Sequence, residues 1–270
     1  MLAYDALVEQ AKNRQMPPTK MRGILREYLQ ILILKEMARL SAGKKLYFTG
    51  GTYLRLGHNL KRFSEDLDFN IEAFSKKEFE GLVKTIALAL KKYNIDAKVK
   101  FKYWENIYTA YLIFPFIEKA YNIASRYSKP SGIIIKIETN RPIWKIKKEV
   151  QVISGFGEIF SCVCTDKSAL FADKVDALNK KQRGRHLYDI IFMLSNNYVI
   201  DKSVLTSLGI EGDPLVLIAK RTESFSQAQL KKQAEDLRPF LFEESQADLI
   251  INAHKIIPEL LDKYKVRKNQ

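Results

Sequence analysis

Residues 47–71 read YFTGGTYLRLGHNLKRFSEDLDFNI, and the fold turns on how this stretch is read. Its last part alternates: Leu67, Phe69 and Ile71 fall on one parity, Asp66, Asp68 and Asn70 on the other. That is the period of a half-buried strand. Residues i and i+2 of a strand project from the same face, so Asp66 and Asp68 stand side by side. Each of two adjacent carboxylates raises the other's cost of ionisation, so folding gains nothing from the pair. A divalent cation resolves the conflict, and Mg2+ is the usual one where sparse carboxylates share it with phosphate. Asp-x-Asp alone reads equally as a solvated strand face beside a turn. The Gly-Gly turn upstream tips the reading toward a metal site.

That turn has its own physical content. Lys45–Thr49 reads as a short strand, Gly50-Gly51 follows, and Thr52–Leu60 begins a helix. Glycine lets the backbone approach a phosphate closely, and a helix N-terminus presents unpaired N–H groups and a favourable dipole. A second strand carries a related pattern over Gly132–Thr139. Ile133, Ile135 and Ile137 point one way, and Ile134, Lys136 and Glu138 the other. Glu138 then ends a central strand on a face shared with Lys136, as a third carboxylate for the cluster or as half of a structural Lys-Glu pair.

Around these strands the chain reads as helices. Apolar residues recur at helical spacing from Lys20 to Leu40, with Ser41-Ala42-Gly43 as the expected C-terminal stop. Ser75 with Glu78 three residues on predicts a capping box for a helix over Ser75–Lys92. Asp96–Phe101, Thr109–Phe114 and Phe160–Cys164 read as further strands. Ala120–Lys129 interleaves Tyr121, Arg126, Tyr127 and Lys129, a mixture that reads either as a surface for stacking on or neutralising RNA or as an exposed loop or short helix.

From Thr165 the pattern turns helical, so the expected division is 1–165 and 166–270. In Ser168–Lys181, Leu170, Phe171, Ala177 and Leu178 form one apolar face with Lys174 in its middle. An ammonium there needs a phosphate or carboxylate partner, or must snorkel along its own stem. A basic run, Lys180 to His186, precedes a second apolar helix, Leu187–Leu194, which carries Asp189 off its stripe. Further caps are expected at Ser203 and Ser226. The fold class is α+β: a sheet flanked by helices, then a C-terminal helical bundle.

Composition bounds the function. The 270 residues are 46% hydrophobic and 28% charged, as in a globular rather than a disordered chain. Lys plus Arg total 45 against 31 Asp plus Glu, a net charge of +14, which favours a polyanionic partner over a membrane surface or a merely solvated face, although the charge is spread along the chain. The longest apolar run, Tyr28–Leu34, is broken by Gln30 and falls far short of the ~20 residues a membrane span needs. No membrane and a cytoplasmic location are the expectation. Cys162 and Cys164 read as core packing, and His58, His186 and His254 lack metal-ligand spacing.

Taken together, GGTYLRLGHNLKRFSEDLDF at 50–69, IIIKIE at 133–138 and LFADKVDALNKKQRGRHLYDI at 170–190 resemble, in order, the motifs of the AbiEii-type nucleotidyltransferase toxins. That family lies within the DNA polymerase β-like superfamily, and the resemblance implies its sheet and its chemistry. Gly50, Gly51 and Thr52 would hold NTP phosphates, with Ser64 of the Arg-Phe-Ser run beside them. Asp66 and Asp68 would bind Mg2+, with Glu138 as a third acidic position. Arg55 and Arg62 would be phosphate or structural partners. Lys174 matches the family's helix lysine, which contacts the nucleotide phosphates, and Asp189 the acidic residue closing the last motif. One departure stands out: Arg185-His186 occurs where family members often show Arg-Asp.

The implied activity is transfer of nucleotides from NTP to the 3′ end of tRNA, blocking translation, with a cognate antitoxin as partner. Alternatives are a small-molecule (antibiotic) or protein acceptor, or an inactive RNA-binding protein of the same fold. A phosphate added to Ser64 would place negative charge two residues from Asp66.

Overall fold

The computed structural model describes residues 1–123, 132–181 and 183–268. Arg126, Tyr127 and Lys129 of the predicted RNA-stacking segment, and Gln182 of the basic run, lie outside the described residues.

Two compact units divide the chain. The first comprises residues 1–59, 63–142 and 148–164. It opens with α1 (Tyr4–Asn13) and α2 (Met21–Arg39). Then come β1 (Leu46–Thr49), α3 (Gly50–His58), β2 (Leu67–Ile71) and α4 (Lys76–Leu90). The unit continues with β3 (Lys98–Trp104), β4 (Ile107–Phe114), the single turn α5 (Ile117–Ala120) and β5 (Ile133–Asn140). It ends on β6 (Lys148–Gly155) and β7 (Glu158–Thr165). The described strands form one seven-stranded sheet in the order β3-β4-β5-β2-β1-β7-β6. β2 runs parallel to β5 and antiparallel to β1, while β4 is antiparallel to both β3 and β5. β5 is thus central, as its Ile133-Ile135-Ile137 parity predicts, and all three isoleucines are fully buried.

The capping box of α4 forms: Ser75 accepts from the Glu78 N–H, and Glu78 returns a bond to the Ser75 N–H. The stop of α2 does not come at Gly43. Leu40 leaves the helix in an extended conformation, and Gly43 sits in a tight turn where a Cβ would collide with the Met37 carbonyl. Gly43 is there for close approach, not for a left-handed cap. β6 is not foreseen from the sequence, because its exposed Val150 and Val152 give it no clean polar face.

The second unit comprises residues 60–62, 143–147 and 165–268 of the described chain. Its elements are α6 (Lys167–Lys180), α7 (Gly184–Ser195), α8 (Lys202–Ser207), α9 (Pro214–Glu223), α10 (Gln227–Leu237), the single turn α11 (Asp248–Ile251) and α12 (Ala253–Lys268). Ser226 caps α10 as predicted, but Asp201 rather than Ser203 caps α8, accepting from the N–H groups of Ser203 and Val204. The carboxylate is the stronger acceptor, and Ser203 donates its hydroxyl to it. Two segments that sequence order gives to the first half, 60–62 and 143–147, belong here. The short one carries Arg62 into the helical unit.

Candidate active site

Strand register gathers the acidic residues of the first unit. Thr49 pairs with Asp68, and Asp68 pairs with Glu138. Leu67 pairs with Ile137, so Asp66 lies beside Lys136 on the same face. Three carboxylates from two strands therefore share one sheet face with one lysine. Lys136 Nζ stands 3.2 Å from Asp66 Oδ2 and 3.2 Å from Glu138 Oε2. Burial pulls the pKa of Lys136 down, but Asp66 and then Glu138 outweigh it, so the ammonium is held charged above its ordinary range.

Among the described residues no three acidic, histidine or cysteine side chains converge closely enough to hold a metal by themselves. The donor set is a pair of hard carboxylates, Asp66 and Asp68, with Glu138 alongside and tied to Lys136. Such a sparse oxygen set suits Mg2+, which keeps part of its water and shares the rest of its shell with phosphate oxygens. The turn completes the fit. Gly50 has φ +79, and a Cβ there would come within 2.5 Å of Asp68 Oδ2. The backbone of the Gly-Gly turn thus lies directly against a candidate metal ligand. Gly51 and Thr52 lie in the first turn of α3, where Thr49 contributes no side-chain cap.

Thr52 is fully buried, and its hydroxyl donates to the Asp66 carbonyl. That bond fixes the helix to the segment entering β2. Gln30, the polar break in the apolar run of α2, donates Nε2 to the carbonyls of Ser64 and Glu65, each at 3.0 Å. Ser64 is half-buried with its carbonyl so held. Arg55 does not face the carboxylates. Its guanidinium is 2% exposed and bidentate on Glu27, at 2.9 and 3.1 Å, and Glu27 also accepts from Arg14 at 2.9 Å.

The remaining predicted residues meet in the second unit. Asp189, fully buried on α7, accepts from Arg62 Nε at 2.8 Å and Nη2 at 2.9 Å. Lys174 Nζ on α6 lies 2.8 Å from the same carboxylate. Burial drives the pKa of Asp189 up, yet Arg62 and then Lys174 overcome it and leave it below its ordinary range. Lys174 has thus found the carboxylate partner its apolar surroundings demand. A phosphate contact by Lys174 must compete with Asp189.

Comparison with known proteins places this geometry. A family model, described as nucleotidyl transferase AbiEii toxin of type IV toxin–antitoxin systems, matches residues 32–250. The chain belongs to the AbiEii nucleotidyltransferase toxin family. Its fold is similar to MenT4, a nucleotidyltransferase toxin of Mycobacterium tuberculosis, at 13% identity and TM-score 0.56, covering 98% of this chain and 93% of that one. It is also similar to JHP933 of Helicobacter pylori, at 17% identity and TM-score 0.55, covering 92% and 95%. No curated protein matches. The mixed α+β class with a helix-flanked sheet agrees with these relatives, and a toxin of such a system implies an antitoxin partner. Among the described residues no helix is long and apolar enough to cross a membrane.

Within this AbiEii-family chain, the departure at His186 has a physical consequence. The ring is buried, and neither nitrogen has a hydrogen-bond partner among the described residues. Burial first, and then the Lys174 charge, push its pKa down to about 3. Where an aspartate would add a second negative charge near Lys174, a neutral imidazole adds none. Sequence reasoning also passed over Glu27, whose carboxylate holds two arginines. Its signal was available: an acid inside the apolar stripe of α2, matched by Arg55 in another buried helix.

Proposed function

We propose that the protein is a Mg2+-dependent nucleotidyltransferase that moves nucleotides from an NTP to the 3′ end of tRNA, releasing pyrophosphate and blocking translation. The observation that carries the chemistry is the gathering of Asp66, Asp68 and Glu138 on one sheet face, with Gly50 pressed against Asp68. Bound Mg2+ would neutralise triphosphate charge and favour ionisation of the attacking hydroxyl. Asp66 and Asp68 are the residues assigned to hold it, with Glu138 as the third acidic position.

The chain's own groups do the remaining work, because nucleotidyl transfer asks mainly for positioning and charge neutralisation. Gly50 and Gly51 let the backbone come close to the triphosphate, and the N-terminal end of α3 adds its favourable dipole. Lys136 keeps Asp66 and Glu138 in register on the sheet, since it is bonded to both. The net charge of +14 favours a tRNA over a small acceptor.

The test is direct. Purified protein with Mg2+, labelled NTPs and total tRNA should transfer label to RNA, and neither the Asp66→Ala variant nor a chelated reaction should. Label appearing on protein or on a small molecule instead would remove the tRNA reading while leaving the nucleotidyltransferase one.

A further inference from the structure

The polar face of the first unit's sheet does not end at β5. Register carries it across two more strands: Asp68 lies beside Glu138, Glu138 beside Thr109, and Thr109 beside Lys102 of β3. A second row runs from Lys136 through Tyr111 to Lys100, and a third from Ile134 through Ile113 to Lys98. On β3 itself, Lys98, Lys100, Lys102 and Trp104 alternate with Val99, Phe101 and Tyr103, so the four share a face.

Opposite faces of β3 meet different surroundings. Phe101 packs edge-on against Phe79 of α4, and the Tyr103 hydroxyl donates to Glu80 of the same helix. The other face is open: all three lysines are exposed, and Trp104 is 66% exposed. None of the three lysines has an ion-pair partner among the described residues. Their neighbours on β4 are Thr109, Tyr111 and Ile113, which carry no charge.

Three like charges about 6.8 Å apart along one strand repel each other, and no carboxylate among the described residues pairs with them. The spacing is comparable with that of successive phosphates along an extended nucleic-acid strand. An exposed indole at the end of the row supplies a flat surface on which a base can stack. Three strand separations, about 14 Å, lie between this row and β2. A few nucleotides of single strand span that distance. A lipid surface would ask for exposed apolar groups between the lysines, and of their β4 neighbours Thr109, Tyr111 and Ile113 only the half-buried Ile113 is aliphatic.

We propose that the open face of β3, with Lys98, Lys100, Lys102 and Trp104, holds the backbone of the RNA strand whose 3′ end reacts at Asp66 and Asp68. The inference rests on the RNA-acceptor reading of the acidic site. It adds where that acceptor lies and which way it enters: across β4 and β5, from the sheet's edge.

Binding of labelled total tRNA to the full chain, measured by anisotropy over a salt series, tests it. The Lys98→Gln/Lys100→Gln/Lys102→Gln variant should lose about tenfold or more in affinity, and its log–log salt slope should flatten by about 2. The Trp104→Ala variant should lose about fivefold. Lys231→Gln/Lys232→Gln/Lys263→Gln, which removes the same charge from exposed helical positions of the second unit, should bind as the wild type does. Replacing the three β3 lysines by arginine should retain binding, which separates lost charge from a disturbed strand. If the β3 and control glutamine variants bind alike, or if the arginine variant fails too, the proposal is overturned even where wild type extends RNA. If wild type neither binds nor extends RNA, the acceptor reading and this inference fall together.

Discussion

Two charge clusters, one in each unit, use the same residue types to opposite ends. On the sheet face, Lys136 is paired with both Asp66 and Glu138, and the side chains of these two acids are 38% and 35% exposed. In the helical unit, Asp189 answers to two cations, Arg62 and Lys174, and is 0% exposed. The first cluster keeps Asp66 and Glu138 within reach of solvent, where the proposed cation and triphosphate would meet them. The second has both carboxylate oxygens filled by strong donors and is closed to solvent. Burial and the ratio of charges, not the presence of charge, separate the open candidate site from the closed ion-pair cluster.

Mutation should pull the two apart. The largest effect is expected from Asp68→Ala, which should lower nucleotidyl transfer on the order of a thousandfold. Its unfolding midpoint in urea should hold or rise, because the substitution relieves repulsion. The opposite pattern of stability is expected for Asp189→Ala. Two buried cations lose their partner, and stability should fall by about 3–5 kcal/mol in the same urea melts. Equal destabilisation by the two substitutions would erase the distinction.

A pH series sharpens the second cluster. Asp189 has a folded pKa below its ordinary value of 3.8, so it contributes stability above that value that is lost as pH falls through the folded pKa. His186 adds a separate window: with a folded pKa of about 3 against 6.5, its neutral form favours folding above pH 6.5. That contribution is lost progressively as pH falls from 6.5 toward 3. His186→Phe should flatten the stability profile across this range and leave the Asp189 step below it. An unchanged slope would show that the ring titrates freely. The smallest effect is expected at Gly50→Ala, where positive φ and the contact with Asp68 should together cost about 1–2 kcal/mol. The activity of that variant should fall more than its stability does, since the new methyl displaces the Asp68 carboxylate proposed to hold Mg2+.

Much of this is legible in the chain. The alternation of 66–71 and of 133–138 depends only on each residue's neighbours, so β2, β5 and their polar faces can be read from the residues alone. The same holds for the Ser75–Glu78 box, whose two partners are three residues apart. Lys174 announces itself as a charge on an apolar face. Arg55 and Arg62 do not reveal which carboxylates they serve, because Glu27 lies 28 residues before the one and Asp189 lies 127 after the other. The three lysines of β3 are plain in the sequence, yet no local pattern says that they share a face with Asp68.

The sequence by itself determined most of the strands and helices, the turn chemistry at Gly50 and the acidic parity of β2 and β5. Periodicity and capping act over a few residues, and the chain carries them wherever it goes. Only the tertiary structure decided that β2 lies parallel to β5, bringing Glu138 beside Asp68 and setting Lys136 between the acids. It also decided that Arg62 and Lys174 close on Asp189 rather than remain open to solvent. Strand order and buried ion pairs are set by contacts between distant segments, and their energies exist only once the core has excluded water.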